Sequence, residues 1–102
     1  FVGATKSPLR TLETCLEAIA LLPGLLEYGN PNAITDVAVG FLLLEAAALG
    51  AAMNAEINLT SIKDQQFKQA TADILRRARQ QVVSYRPHLS AALEKAGLEP
   101  LR

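Results

Sequence analysis

The sequence predicts an all-α chain: a bundle of three long antiparallel helices plus a short C-terminal helix, with a buried central helix. Three observations carry this reading. Apolar residues recur at three- and four-residue steps in two long segments. Between them, the run from Val37 to Met53 is almost wholly apolar and carries a single charge, Glu45. The helix breakers cluster at a few places, Pro23-Gly24, Gly29-Asn30-Pro31, Arg86-Pro87 and Gly97. There is no alternating strand pattern, internal repeat or low-complexity segment.

Each element has its own signals. Ser7-Pro8 reads as an N-cap and first-turn pair, and Leu9, Leu12, Leu16, Ile19 and Leu22 follow as one amphipathic stripe. Pro23-Gly24 kinks or interrupts this helix, Leu25, Leu26 and Tyr28 continue it for about a turn, and Gly29 ends it. Asn30-Pro31 restarts the chain with a second cap and first-turn signal. The helix it opens runs from about Pro31 to about Leu59, roughly 40 Å at the usual rise. Ser61 with Asp64 resembles a capping box, with Asp in place of Glu. The third helix carries its stripe on Phe67, Ala70, Ile74, Ala78, Val82 and Tyr85. Arg86-Pro87 ends or bends it, since the residue before proline avoids the helical region. A tail helix over about 88–96 stops at Gly97.

Composition narrows the function. At 102 residues the chain is a single helical domain, 1–102, and small for an enzyme with its own deep cleft. Ten basic residues cancel ten acidic ones, so no field favours nucleic acid or an anionic membrane surface. Lone Cys15 cannot form an internal disulfide, and no cluster suits a metal; both fit a reducing, cytoplasmic setting. Val37–Met53 is as long as the shortest membrane spans. Against that stand Glu45 near its centre, Asp36 and Asn54 at its ends, and no Lys/Arg bias around it. Its many Ala and Gly residues suit helix contact more than lipid contact. The chain begins at Phe1 without methionine, the expectation for a truncated product with residues missing upstream.

The helices do not balance. A helix apolar on every side must be buried on every side. The first and third helices each offer only one stripe to cover it. Further cover is therefore expected from an upstream region, from a second copy of the chain, or from both.

The polar residues of the second helix have two readings. Asp36 and Gly40 share a helical face, as do Gly50 and Asn54, and Asn54 and Asn58. A glycine beside each polar side chain leaves room for a flat ligand. Alternatively, both glycines admit a neighbouring helix while Asp36 bonds free first-turn N–H groups, and spacing alone favours this second reading. Asn30 and Asn32 read more readily as caps than as ligand contacts. Glu45 lies half a turn from Asp36 and is expected to meet a basic residue on another helix. Lys6 and Arg10 bracket the first helix start and can hold a carboxylate or phosphate, or simply be solvated. Arg76, Arg77 and Arg79 read as a solvated face, His88 as a surface residue and Cys15 as core. No nucleophile elbow, phosphate loop or metal motif occurs.

The segments "SPLRTLET", "GNPNAITDVAVG", "LGAAMNAEINL" and "IKDQQF" resemble the cyclodeaminase domain of formiminotransferase-cyclodeaminase, which stand-alone bacterial methenyltetrahydrofolate cyclohydrolases share. That domain is about twice as long, so the resemblance implies the C-terminal half of a larger helical folate enzyme domain. It also implies a homodimer and a tetrahydrofolate derivative as substrate, without a metal. The reaction would be cyclodeamination of formiminotetrahydrofolate or hydrolysis of methenyltetrahydrofolate. On this resemblance Asp36 is the catalytic carboxylate. Asn30, Asn32, Asn54 and Asn58 would orient the pterin, and Lys6 and Arg10 would meet the carboxylates of the folate tail. The alternative is a non-catalytic helical scaffold or oligomerisation module.

Overall fold

The computed structural model describes residues 2–101, with side chains from Thr5 onward. Among these residues all regular structure is helical: α1 (Val2–Ile19), α2 (Leu22–Tyr28), a 3-10 turn (Pro31–Ala33), α3 (Ile34–Leu59), α4 (Gln65–Ser84) and α5 (Arg86–Lys95). α3 touches every other helix, and its longest contact is with α1. The molecule is elongated, 51 × 20 × 16 Å.

α1 begins at Val2, so Ser7 is not its cap and Pro8 lies inside it. Proline removes one rung from the helical ladder. Thr5, in the turn ahead of Pro8, is fully buried. The expected break near Pro23-Gly24 falls just before the proline, at Ala20-Leu21. Pro23 then occupies the first turn of α2, where a missing N–H leaves nothing unsatisfied.

α3 departs most from expectation. Ala38, Phe41, Ala48, Ala52, Ala55 and Leu59 are buried against α1, α4 and α5. On the opposite face Val39, Leu43, Met53 and Ile57 are 57–67% exposed. The central helix is therefore not enclosed in a single chain, because its neighbours all pack on one side of it. Pro31–Leu59 is long and apolar enough to cross a membrane by length and composition alone.

α4 starts on Asp64, whose Oδ1 accepts from the N–H groups of Gln66 and Phe67 at 3.0 and 3.2 Å. Asp64 is thus the cap itself, not the fourth member of a box opened by Ser61. The buried stripe is Thr71, Leu75, Ala78 and Val82, turned from the expected one so that Ala70 and Ile74 face outward. α5 buries Leu89 and Leu93 and ends on Gly97 at φ 81°. There Gly97 N–H donates to Glu94 O and Leu98 N–H to Leu93 O, each at 2.9 Å, a Schellman ending that favours glycine. The tail folds back, with Leu101 N–H donating to Ser90 Oγ at 3.1 Å.

Candidate functional site

Glu45 meets its expected base. Its carboxylate, 11% exposed, accepts a 2.5 Å hydrogen bond from Arg86 Nη1 and ties α3 to α5. A buried carboxylate satisfied by an arginine of another helix is a structural group. Glu56, the third acid of α3, pairs with Arg79, which leaves Asp36 as the acid of α3 without an ion-pair partner among the described residues.

Asp36 stands exposed in the first turn of α3 and makes no hydrogen bond or ion pair among the described residues. The capping role that spacing favoured is not what it does: the residue before the helix is Ala33, with no side-chain cap. Asp36 instead edges an apolar groove of about 300 Å³ between the end of α1, α2 and the start of α3. Leu22, Leu25, Val37, Gly40, Phe41 and Leu44 line it. A Cβ on Gly40 would meet nothing within 4 Å, so no helix of this chain occupies the space beside it.

A second groove, of about 410 Å³, lies at the other end of α3. Ser7, Pro8 and Thr11 of α1 face Gly50, Ala51 and Asn54 there. Asn54 is exposed, and Gly50 also has open space where a side chain would stand. Asn58 is half-buried and already bonded within the chain.

Lys6 and Arg10 line neither of these. They edge a third groove, about 810 Å³, between α1 and α4, with Glu13, Arg77 and Gln81. Three cations against one carboxylate give it a net positive rim. Sequence alone makes Arg77 part of a solvated face; the turned α4 stripe brings it to this groove. Its Nε donates to the Asp73 carbonyl at 3.4 Å, while Arg76 pairs with Asp73 at 3.0 Å and Arg79 with Glu56.

Asn30 is a cap: its Oδ1 accepts from Asn32 N–H at 2.9 Å and shapes the turn before α3. Both side chains are exposed.

The seven candidate residues therefore do not converge in one chain. Asp36 and Asn54 lie on the same flank of α3, but 18 residues of helix put about 27 Å between them. Ser7 and Thr11 were missed. Their four-residue spacing matches Gly50 and Asn54, and that pairing of small polar faces was the available signal. Among the described residues no group of three His, Cys, Asp or Glu side chains is placed to hold a metal ion.

Comparison with known proteins places these residues in a family. The family model described as formiminotransferase-cyclodeaminase matches residues 1–77, which include every candidate named above from Lys6 to Asn58. The formimidoyltransferase-cyclodeaminase of Gallus gallus is 37% identical over 71 residues. That match covers 70% of this chain and 13% of the chicken protein, so the chain spans a small part of its relative. No solved structure matches it. With its first three helices and most of the fourth inside the family pattern, the chain belongs to the formiminotransferase-cyclodeaminase family.

Proposed function

We propose that this chain is part of a cytoplasmic folate-processing domain. The domain would be a homodimeric antiparallel helical bundle, and it would cyclodeaminate formiminotetrahydrofolate or hydrolyse methenyltetrahydrofolate. The observation that carries the reading is Asp36, an unpartnered carboxylate beside an empty glycine position on an apolar groove. Both reactions need such a group. In cyclodeamination N10 adds to the formimino carbon, and the tetrahedral centre collapses with loss of ammonia. In the hydrolysis water adds to the methenyl carbon and one C–N bond opens. Each passes a tetrahedral carbon beside an amidinium-like cation, which a carboxylate can stabilise or relieve of a proton. The apolar wall suits the face of a pterin. Asn30, Asn32, Asn54 and Asn58 would orient its polar edge. Lys6, Arg10 and Arg77 would meet the glutamate carboxylates.

One observation favours the scaffold reading: Lys6 and Arg10, Asp36, and Asn54 line three separate grooves of the single chain. The two readings separate in the full-length protein. Asp36→Asn lowers turnover by about 100-fold or more with little change in melting temperature if the group serves substrate. Asn54→Ala raises the folate Kd more than it lowers turnover, because an orienting amide acts on ground and transition states alike. Unchanged kinetics in both variants would leave the chain a scaffold.

A further inference from the structure

The groove beside Asp36 has walls of unequal firmness. Its floor is α3, which carries Asp36, Gly40 and Phe41 and packs along α1. One wall is α2, which contributes Leu22 and Leu25. At seven residues α2 is too short to be stable as a helix on its own, so packing must hold it in place. Leu22 is buried and Leu26 half-buried; the rest of α2 is exposed. The chain leaves the helical path on both sides of it, at Ala20-Leu21 and at Gly29-Asn30, so α2 can shift as one piece. What it rests on is α3 and α5.

α5 is fixed by groups that lie outside α2. Arg86 at its start pairs with Glu45, which follows Phe41 by one turn on the buried face of α3. Leu89 and Leu93 are buried, α4 packs against the same helix, and the Leu101 N–H fastens the returning tail to Ser90. No residue of α5 lines the groove, and α5 lies beyond residues 1–77, those the family model matches. We infer that α5 is a positioning element of that groove: by backing α2 it sets the distance from Leu25 to the Gly40 face of α3, and so the thickness of the ligand admitted. Arg86 and Leu89 are its positioning residues, and neither touches the ligand.

Contact distances show why such a support matters. A planar ring held between two apolar walls needs them about 7 Å apart, twice an ordinary carbon contact. Retreat of α2 by about 1 Å forfeits up to about half of the attraction on that side. Asp36 stays in place, since it belongs to α3. Loosening α5 therefore weakens the hold on a flat ligand without moving the carboxylate, which separates its effect from loss of Asp36 itself.

That the ligand is a folate rests on the reading above, so the geometry is tested first without one. In a Cys15→Ser background, Gly40→Cys places a thiol in the groove, where a Cβ meets nothing within 4 Å. Its rate with bulky fluorescein-5-maleimide is divided by its rate with N-ethylmaleimide, and the same ratio is taken for exposed Lys63→Cys. In the parent the groove ratio is about tenfold below the exposed one, because access limits the larger reagent. Leu89→Ala raises the groove ratio by about threefold or more, and so do the milder Leu89→Val and Arg86→Gln, which serve if Leu89→Ala does not fold. Gly50→Cys, in the groove at the other end of α3, keeps its ratio in all three. Leu75→Ala, a buried change in α4 that also lowers the melting temperature, leaves the Gly40→Cys ratio unchanged. In the full-length protein the α5 variants raise KM severalfold and hold kcat within about twofold, the pattern of lost uniform binding. A groove ratio that ignores the α5 variants, or that rises equally with Leu75→Ala, overturns the proposal. A ratio that responds while KM does not upholds the role of α5 and overturns the assignment of the groove to folate.

Discussion

Glu45 and Arg86 hold α3 to α5, and the two halves of that pair should fail by different amounts. The Arg86 side chain is 32% exposed and Glu45 only 11%. In Glu45→Gln the guanidinium keeps its water and a neutral acceptor remains, so the loss is the charge-assisted part of one hydrogen bond, about 1 kcal/mol. Arg86→Met leaves a carboxylate buried without its cation. Breaking a buried pair in that way costs about 3–5 kcal/mol, and partial solvent access places this one near 3. For a domain of this size 1 kcal/mol shifts the melting temperature by about 4–8 °C. Thermal unfolding followed by circular dichroism, at one fixed protein concentration, should show Glu45→Gln down by roughly one such step and Arg86→Met by about three. The double variant Glu45→Leu with Arg86→Met should return to within about 1 kcal/mol of the parent, because apolar packing replaces a desolvated pair at little cost. Equal losses in the two single variants, or a reversed order, would refute the claim that burial of Glu45 sets the energetics.

Other outcomes follow from local geometry. Gly29→Ala would place a Cβ 2.3 Å from the Leu25 carbonyl oxygen, so the backbone must shift; a loss of about 1–3 kcal/mol in urea unfolding is expected. Gly24→Ala meets nothing within 4 Å inside α2 and should stabilise by about 0.5–1 kcal/mol. Asp64→Ala removes the cap of α4 and should cost about 1 kcal/mol, whereas Ser61→Ala should be nearly neutral; comparable losses would restore the capping box. Val82→Ala, at a fully buried position, should cost about 1–3 kcal/mol by the same assay, while Val83→Ala on the exposed face should change little.

The helices were legible in the sequence because their signals are local. Asn30-Pro31 and Gly97 act through backbone geometry within a turn and sit at boundaries as read, whereas Arg86, expected to be kept out of the helix by Pro87, is the first residue of α5. Glu45 was legible because an ion in an apolar run has few ways to be stable. What failed depended on neighbours. Ser7-Pro8 carries a start signal, yet the helix begins at Val2 and buries Thr5 in the turn ahead of the proline. The α4 stripe could be traced through Ile74 or Leu75, and only the position of α3 decides for Leu75. Total apolarity of α3 said that cover was needed but not that one chain supplies it on one side only. The candidate residues were found by type and resemblance; that Lys6 and Arg10, Asp36, and Asn54 line three separate grooves needed the path of α1 along α3.

The elongation of the chain bears on how its association would look in solution. A compact chain of about 100 residues has a radius of gyration near 13 Å, against 15.9 Å here. Such a rod drags more than a sphere of its mass and leaves a sizing column early, in the direction of a false dimer. Pairing side by side along α3 doubles the mass while leaving the 51 Å length nearly unchanged. The frictional ratio should therefore fall on association, whereas end-to-end assembly would raise it. Sedimentation velocity reads this sign directly, and a dimer rounder than its monomer is the hydrodynamic signature of association along the length of the rod.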